Sequence, residues 1–375
     1  LSNHKTAKSN HWFLENNIER KEKKNMLTTK QNTFTLYLIV ISLVIHLNGI
    51  ADKSFGQPIL TINFPNDTNT PSKVAISPDG KRILMGLHTA KIWDAEAGRE
   101  ILHYTKTMNV IASAVFSPDG RHIFTGESGF RGQYWDMVTG ELIFTIKTFT
   151  VTKNPRTVYY IHGITACDFT SDGSRLITGD SDGEVQLWDM STGLEVKRYE
   201  PGGYIRYIKI SPDGDTFLMQ DAARALIVNM ERGNAIREFS SDSCKISEDW
   251  KYILTRTGKI YDVNTGEVIR LIPAFHPSRV IAISPDGKSA IFGGYQDSYT
   301  KEVFNRRIFN NETEAEIRSY PTSIIVEKNA PNSPDDHILF FPDGKRFLTV
   351  NGTNVHIWDI SDLAAGVKAF DSLDQ

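Results

Sequence analysis

The tetrapeptide Ser77-Pro78-Asp79-Gly80 decides the fold, because it returns as Ser117-Pro118-Asp119-Gly120, Ser211-Pro212-Asp213-Gly214 and Ser284-Pro285-Asp286-Gly287. Altered copies stand at Thr170-Ser171-Asp172-Gly173, Ser247-Glu248-Asp249-Trp250 and Phe341-Pro342-Asp343-Gly344, making seven in all. Proline at the second place presets φ, aspartate closes on its own backbone, and glycine accepts positive φ. The tetrapeptide therefore suits a tight hairpin between two strands. Trp250, where the other copies carry glycine, is the one poor fit. Ahead of each turn the residues alternate. Ile76, Phe116, Phe169, Ile210, Ile246, Ile283 and Phe340 come immediately before it, and Val74, Ala114, Cys167, Ile208, Cys244, Ile281 and Ile338 two places earlier. All of these are apolar. The place between them is mixed (Ala75, Val115, Asp168, Lys209, Lys245, Ala282, Leu339), so the period is two, that of a strand with one buried face.

A second signature follows, its central residue 14 to 25 places after each turn begins: Ile92-Trp93-Asp94, Tyr134-Trp135-Asp136, Leu187-Trp188-Asp189 and Ile357-Trp358-Asp359. Weaker versions are Ile227-Val228-Asn229, Ile260-Tyr261-Asp262 and Ile308-Phe309-Asn310. The best copies run on to Thr139-Gly140, Thr192-Gly193 and Thr265-Gly266, five-residue turns in which Asp folds back locally and Gly takes the left-handed place. A further strand then begins, as in 141–146 and 267–272, which gives four strands per unit.

These residues resemble the WD-repeat family, whose units of about 40 to 45 residues fold as four-stranded propeller blades. The resemblance covers residues 59–359 and implies an all-β, seven-bladed propeller of four-stranded antiparallel blades. The family's Gly-His dipeptide is missing throughout, and Asp182-Gly183 is the clearest turn Asp ahead of a Trp-Asp pair. Its Asp-His-Ser-Trp hydrogen-bond network is therefore not expected in most blades. The last unit ends after Trp358-Asp359, and the tail 361–375 offers no convincing fourth strand. Residues 59–64 alternate in part and stand just ahead of the first unit, so this segment is expected to supply the outer strand of the last blade and seal the ring.

Composition agrees with a large packed core. Of the 375 residues 40% are hydrophobic, and 42 basic against 45 acidic side chains give a net charge of −3. That balance lacks the positive field on which non-specific nucleic-acid binding depends, so no nucleic-acid partner is expected. Two cysteines, Cys167 and Cys244, make neither a disulfide scaffold nor a four-thiolate zinc site. They fall at equivalent places of units two apart, too far for a disulfide, and read as small buried hydrophobes.

Residues 1–51 read as an N-terminal leader, and 52–375 as a single propeller domain. The first methionine is Met26, so the preceding 25 residues are expected to be a cytoplasmic leader or a mis-assigned start. From Met26, Lys30, the apolar run 34–47 and the small residues ending at Ala51 read as a secretory signal cleaved after Ala51. The alternative is an uncleaved membrane anchor over 34–51, held by the basic residues before it. Either reading places the propeller outside the cytoplasm, in the periplasm, on the envelope or in the medium.

No catalytic motif stands out: there is no Gly-x-Ser-x-Gly elbow, His-Glu-x-x-His pair or Walker loop. Asp180, Asp182 and Glu184 around Gly183 lack the spacing of a calcium loop and read as a polar hairpin. Asp335, Asp336 and His337 read as a solvated loop, so neither metal nor cofactor is expected.

Unit length carries more information. The spacings between turns are 40, 53, 41, 36, 37 and 57, so extra residues enter within 148–163, 294–306 and 320–336. In a propeller the connection between strands two and three, and the crossover to the next blade, open on the same side, so the long loops share one face. They carry Arg156, Tyr159, Tyr160 and His162, then Tyr295, Tyr299 and Arg306, then Lys328. Tyrosine and arginine are common interface anchors, although long loops also arise as tolerated insertions. The expected function is that of a non-enzymatic, monomeric scaffold binding an unidentified protein through this face. The alternative is a propeller enzyme or small-ligand binder, quinoprotein-dehydrogenase-like or lactonase-like, with a site at the central channel. Asp168, Lys209 and Lys245 are the nearest approach to a channel cluster, and inter-blade salt bridging accounts for them as well.

Overall fold

The seven turns close as their residues predict. In the first, Gly80 N donates to Ser77 O at 2.8 Å, Asp79 Oδ1 accepts from Ser77 Oγ at 2.5 Å and from Lys81 N at 3.0 Å, and Arg82 N donates to Ser77 Oγ at 2.9 Å. The turn glycines from Gly80 to Gly344 have φ between +64° and +78°. In the fifth copy Trp250 takes this left-handed place at φ +57°, and it is the one non-glycine residue to do so among the described residues.

The computed structural model describes residues 58–63, 71–86, 88–104, 109–129, 131–150, 160–161, 163–240, 243–272, 281–293, 295–296, 303–304, 306–312, 316–320, 337–351 and 354–361. The expected leader, with its apolar segment 34–51, and the tail beyond Ser361 lie outside the described residues. Among those described, no helix is long and apolar enough to cross a membrane.

The strands form seven four-stranded antiparallel sheets. Their inner strands are Lys73–Ile76, Ile111–Phe116, Ile164–Phe169, Tyr207–Ile210, Cys244–Ile246, Ile281–Ile283 and Ile338–Phe340, which begin blades 1 to 7. Blade 3 is typical: Ile164–Phe169 pairs with Arg175–Asp180, that strand with Val185–Asp189, and the last with Leu194–Tyr199.

Blade 7 is completed from the other end of the sequence. Leu60–Asn63 pairs antiparallel with Asn354–Asp359 in the register Leu60↔Ile357 and Ile62↔Val355, and Ile59 N donates to Ile357 O at 2.8 Å. Elsewhere the third strand ends at an Asp, or in blades 4 and 6 at Asn229 and Asn310, whose side-chain oxygen accepts from the backbone that turns toward the outer strand. In blades 1 to 6 the register of that pairing slips at the signature aromatic or its substitute, as between Ile92 and Trp93 and between Tyr134 and Trp135. Such a bulge bends the outer strand and increases its twist. No slip occurs between Leu60–Asn63 and Asn354–Asp359, where no turn joins the two strands.

The core is distributed rather than central, one apolar cluster lying at each interface between blades. Ala166, Ile177 and Leu187 of blade 3 pack with Ile208, Phe217 and Met219 of blade 4. Clusters of the same kind join blades 1 and 2, 2 and 3, 4 and 5, 5 and 6, and 6 and 7. The seventh joins blade 7 to blade 1 and contains Ile62, Val74, Met85, Phe341 and Val355, so the ring is continuous. Since a fully buried Ile or Leu side chain contributes about 1.5–3 kcal/mol, every interface is stabilised by several such residues. The apolar places of the inner strands feed these clusters, which is why their period of two was so regular.

Candidate functional site

Because side chains alternate along a strand, the mixed place of each inner strand faces the other way from the regular apolar places, and Ala75, Val115, Ala282 and Leu339 there reach the cluster shared with the next blade. At the end bearing the Ser-Pro-Asp-Gly turns, the inner strands surround a cavity of about 650 Å³. Pro78, Pro118, Pro212, Pro285 and Pro342 form its rim. Ala75, Val115 and Leu339 make an apolar wall from blades 1, 2 and 7, and Asp168, Lys209 and Glu248 make a charged wall from blades 3, 4 and 5.

The charged wall is a bridge across three blades. Lys209 Nζ lies 3.1 Å from Glu248 Oε2 and 3.9 Å from Asp168 Oδ2, and Asp168 Oδ2 also accepts from Ile210 N at 2.8 Å. Burial works against the charge on Lys209, but the carboxylates of Asp168 and Glu248 outweigh it and hold the lysine pKa above its ordinary value. The inter-blade salt bridging anticipated for Asp168 and Lys209 is therefore present. Glu248 was missed. It occupies the place where five other turns carry proline, and that departure beside a charged inner strand was the available signal.

Lys245, the neighbouring mixed place in blade 5, is arranged differently. Its Nζ sits over the ring of Tyr207, 4.1 Å from the centroid. Burial, reinforced by the like charges of Lys73 and Lys209, lowers its pKa to about 8. Both cysteine thiols are free and pushed up to about 12 by burial, which suits the packing role expected of them.

The polar loop of blade 3 is a hairpin. Asp180 Oδ1 accepts from Asp182 N at 3.0 Å and Glu184 N at 2.9 Å, so Asp180, rather than Asp182, is the turn-capping aspartate. Among the described residues no group of three His, Cys, Asp or Glu is placed to hold a metal ion.

The strand order puts the long connections at the end opposite the cavity. Two of them contain short two-stranded ribbons, Phe149–Thr150 with Tyr160–Ile161 and Tyr295–Gln296 with Val303–Phe304. Tyr160 thus pairs with Thr150 and Tyr295 with Phe304, while Arg306 opens the third strand of blade 6 opposite Tyr320. Arg156, Tyr159, His162, Tyr299 and Lys328 lie outside the described residues.

Fold and turns together define a closed, seven-bladed propeller of four-stranded antiparallel blades. The WD domain, G-beta repeat family matches residues 153–189, the crossover into blade 3 and its first three strands. A relative from Gallus gallus, described as serine-threonine kinase receptor-associated protein, is 24% identical over 216 residues, covering 53% of this chain and 56% of its own length. The chain thus spans about half the length of that curated relative. In repeat, relative and architecture, the chain resembles the WD-repeat family.

Proposed function

We propose that this protein is an exported, non-enzymatic scaffold that binds a protein partner through the long connections on the face opposite the Ser-Pro-Asp-Gly turns. One observation carries the reading: a ring sealed by its own N-terminal strand presents its extended connections at one end, so a partner meets a surface whose supports are already ordered. The description of the Gallus gallus relative as receptor-associated supports a binding role of this kind. Export rests on the signal-like sequence ending at Ala51.

The test replaces Tyr159, Tyr160, Tyr295 and Tyr299 together by serine. The variant is expected to melt with the wild type and to lose capture of the partner in cross-linking from envelope fractions. Undiminished capture would remove this face. N-terminal sequencing of the same preparation is expected to begin at Asp52, and a chain retaining residues 34–51 would indicate an anchor instead.

A further inference from the structure

The charges that line the cavity at the turn end do not cancel. Among the described residues its ionisable lining side chains are Asp168, Lys209 and Glu248, so two carboxylates face one ammonium. Lys245 sits over the Tyr207 ring instead and is not part of the lining. Lys209 Nζ is 3.1 Å from Glu248 Oε2 but 3.9 Å from Asp168 Oδ2, and the longer distance exceeds that of a charge-assisted hydrogen bond. Burial raises the Asp168 pKa, and neither Lys209 nor the bond from Ile210 N brings it back to its ordinary value, while Glu248 adds to the rise. The Glu248 side chain is 60% exposed, so its carboxylate can be reached from solvent. The three-blade bridge is one positive charge short.

The rest of the cavity indicates what carries the missing charge. Its volume of about 650 Å³ is within the range of small-molecule pockets. The prolines of its rim, Pro78, Pro118, Pro212, Pro285 and Pro342, have no backbone N–H to offer, which disfavours an anion at the mouth. The wall formed by Ala75, Val115 and Leu339 is apolar, so it is covered best by a hydrocarbon body. We propose that the turn end of the channel binds a small organic amine in its ammonium form, its charge at the carboxylates of Asp168 and Glu248 and its hydrocarbon body against Ala75, Val115 and Leu339. This goes beyond the scaffold reading and concerns the opposite end of the ring.

Phenethylamine, protonated at neutral pH, tests the site by isothermal titration of the full chain. The controls are 2-phenylethanol, which lacks the charge, phenylacetate, which reverses it, and ethylamine, which lacks the ring. Wild-type protein is expected to bind phenethylamine at least about tenfold more tightly than any control. Glu248→Gln, a change at an exposed turn place, is expected to lose about tenfold, and Glu248→Asp, which keeps the charge, to lose less. In the wild-type protein, nuclear Overhauser contacts are expected from the phenyl protons to the methyl groups of Ala75, Val115 and Leu339, a readout that needs no variant to fold. Absence of phenethylamine binding, a control binding as tightly, equal binding by Glu248→Gln, or contacts confined to other residues would each overturn the proposal.

Discussion

Trp250 shows what a repeat tolerates at one residue. It adopts φ +57° because the surrounding turn fixes the backbone there, with Trp250 N donating to Ser247 O at 3.0 Å and Ser247 Oγ reaching Asp249 Oδ1 at 2.6 Å. The indole packs at the edge of the cluster between blades 4 and 5, which compensates a backbone that disfavours a Cβ. Trp250→Gly and Trp250→Ala lose the same packing, but only alanine keeps the strain. The glycine variant is accordingly expected to be about 1 kcal/mol more stable than the alanine variant in chemical denaturation, and equal stabilities would contradict a strained turn. The poor fit was legible in the sequence. Less legible was the internal bond of the signature tryptophans. Trp135, Trp188 and Trp358 each donate from Nε1 to a threonine of the second strand, Thr125, Thr178 and Thr349, at 2.9–3.1 Å. Where the tryptophan gives way to Val228 or Phe309, the corresponding place is Met219 or Phe292. Trp93, by contrast, is kept where the second strand carries Met85, and Tyr261 stands where it keeps Thr255, so the two places vary independently and neither signature alone reveals the bond.

At the scale of the element, the aspartate turns set the acid response. Asp136 Oδ1 accepts from the backbone of Thr139 and Val138, both at 2.7 Å. These bonds hold the Asp136 pKa below the usual carboxylate range, as bonds from Ser191 and Thr192 do for Asp189. Asp172 is lowered to about 2 by Thr170 and Ser174. A carboxylate whose folded pKa lies below its unfolded value of 3.8 contributes stability that is fully present above that value and is lost as pH falls through the folded value. The melting temperature is therefore expected to hold steady above about pH 5 and to fall between about pH 4 and pH 2, and Asp172→Asn to flatten part of that fall. A melting temperature unchanged down to about pH 2 would contradict the assignment. The hairpins themselves were legible because their chemistry is local, fixed by the residues at each turn. The Asp168–Lys209–Glu248 bridge was only half legible, since it depends on three inner strands being neighbours in the ring. The two ribbons inside the insertions lack turn residues of a comparable pattern and were read as loops.

For the whole molecule, closure is what converts seven similar sheets into one body. Each blade buries its apolar face only against the next, so an open array would leave two faces and a sheet edge exposed. Ile62 is 1% exposed and lies in the cluster that joins the last blade to the first, while the strand carrying it also covers the edge of Asn354–Asp359. The count of blades and the closing strand could be inferred from the seven turns and the missing fourth strand of the last unit. What no local pattern could supply was the cavity at the turn end, which is lined by inner strands of five blades and by the turns of the other two. Closure is tested most directly by comparing thermal unfolding of two truncations of the full chain, one deleting 59–64 and one deleting 361–375. Loss of the closing strand is predicted to lower the melting temperature far more than loss of the tail, and coincident melting curves would contradict a ring sealed by its N-terminal strand.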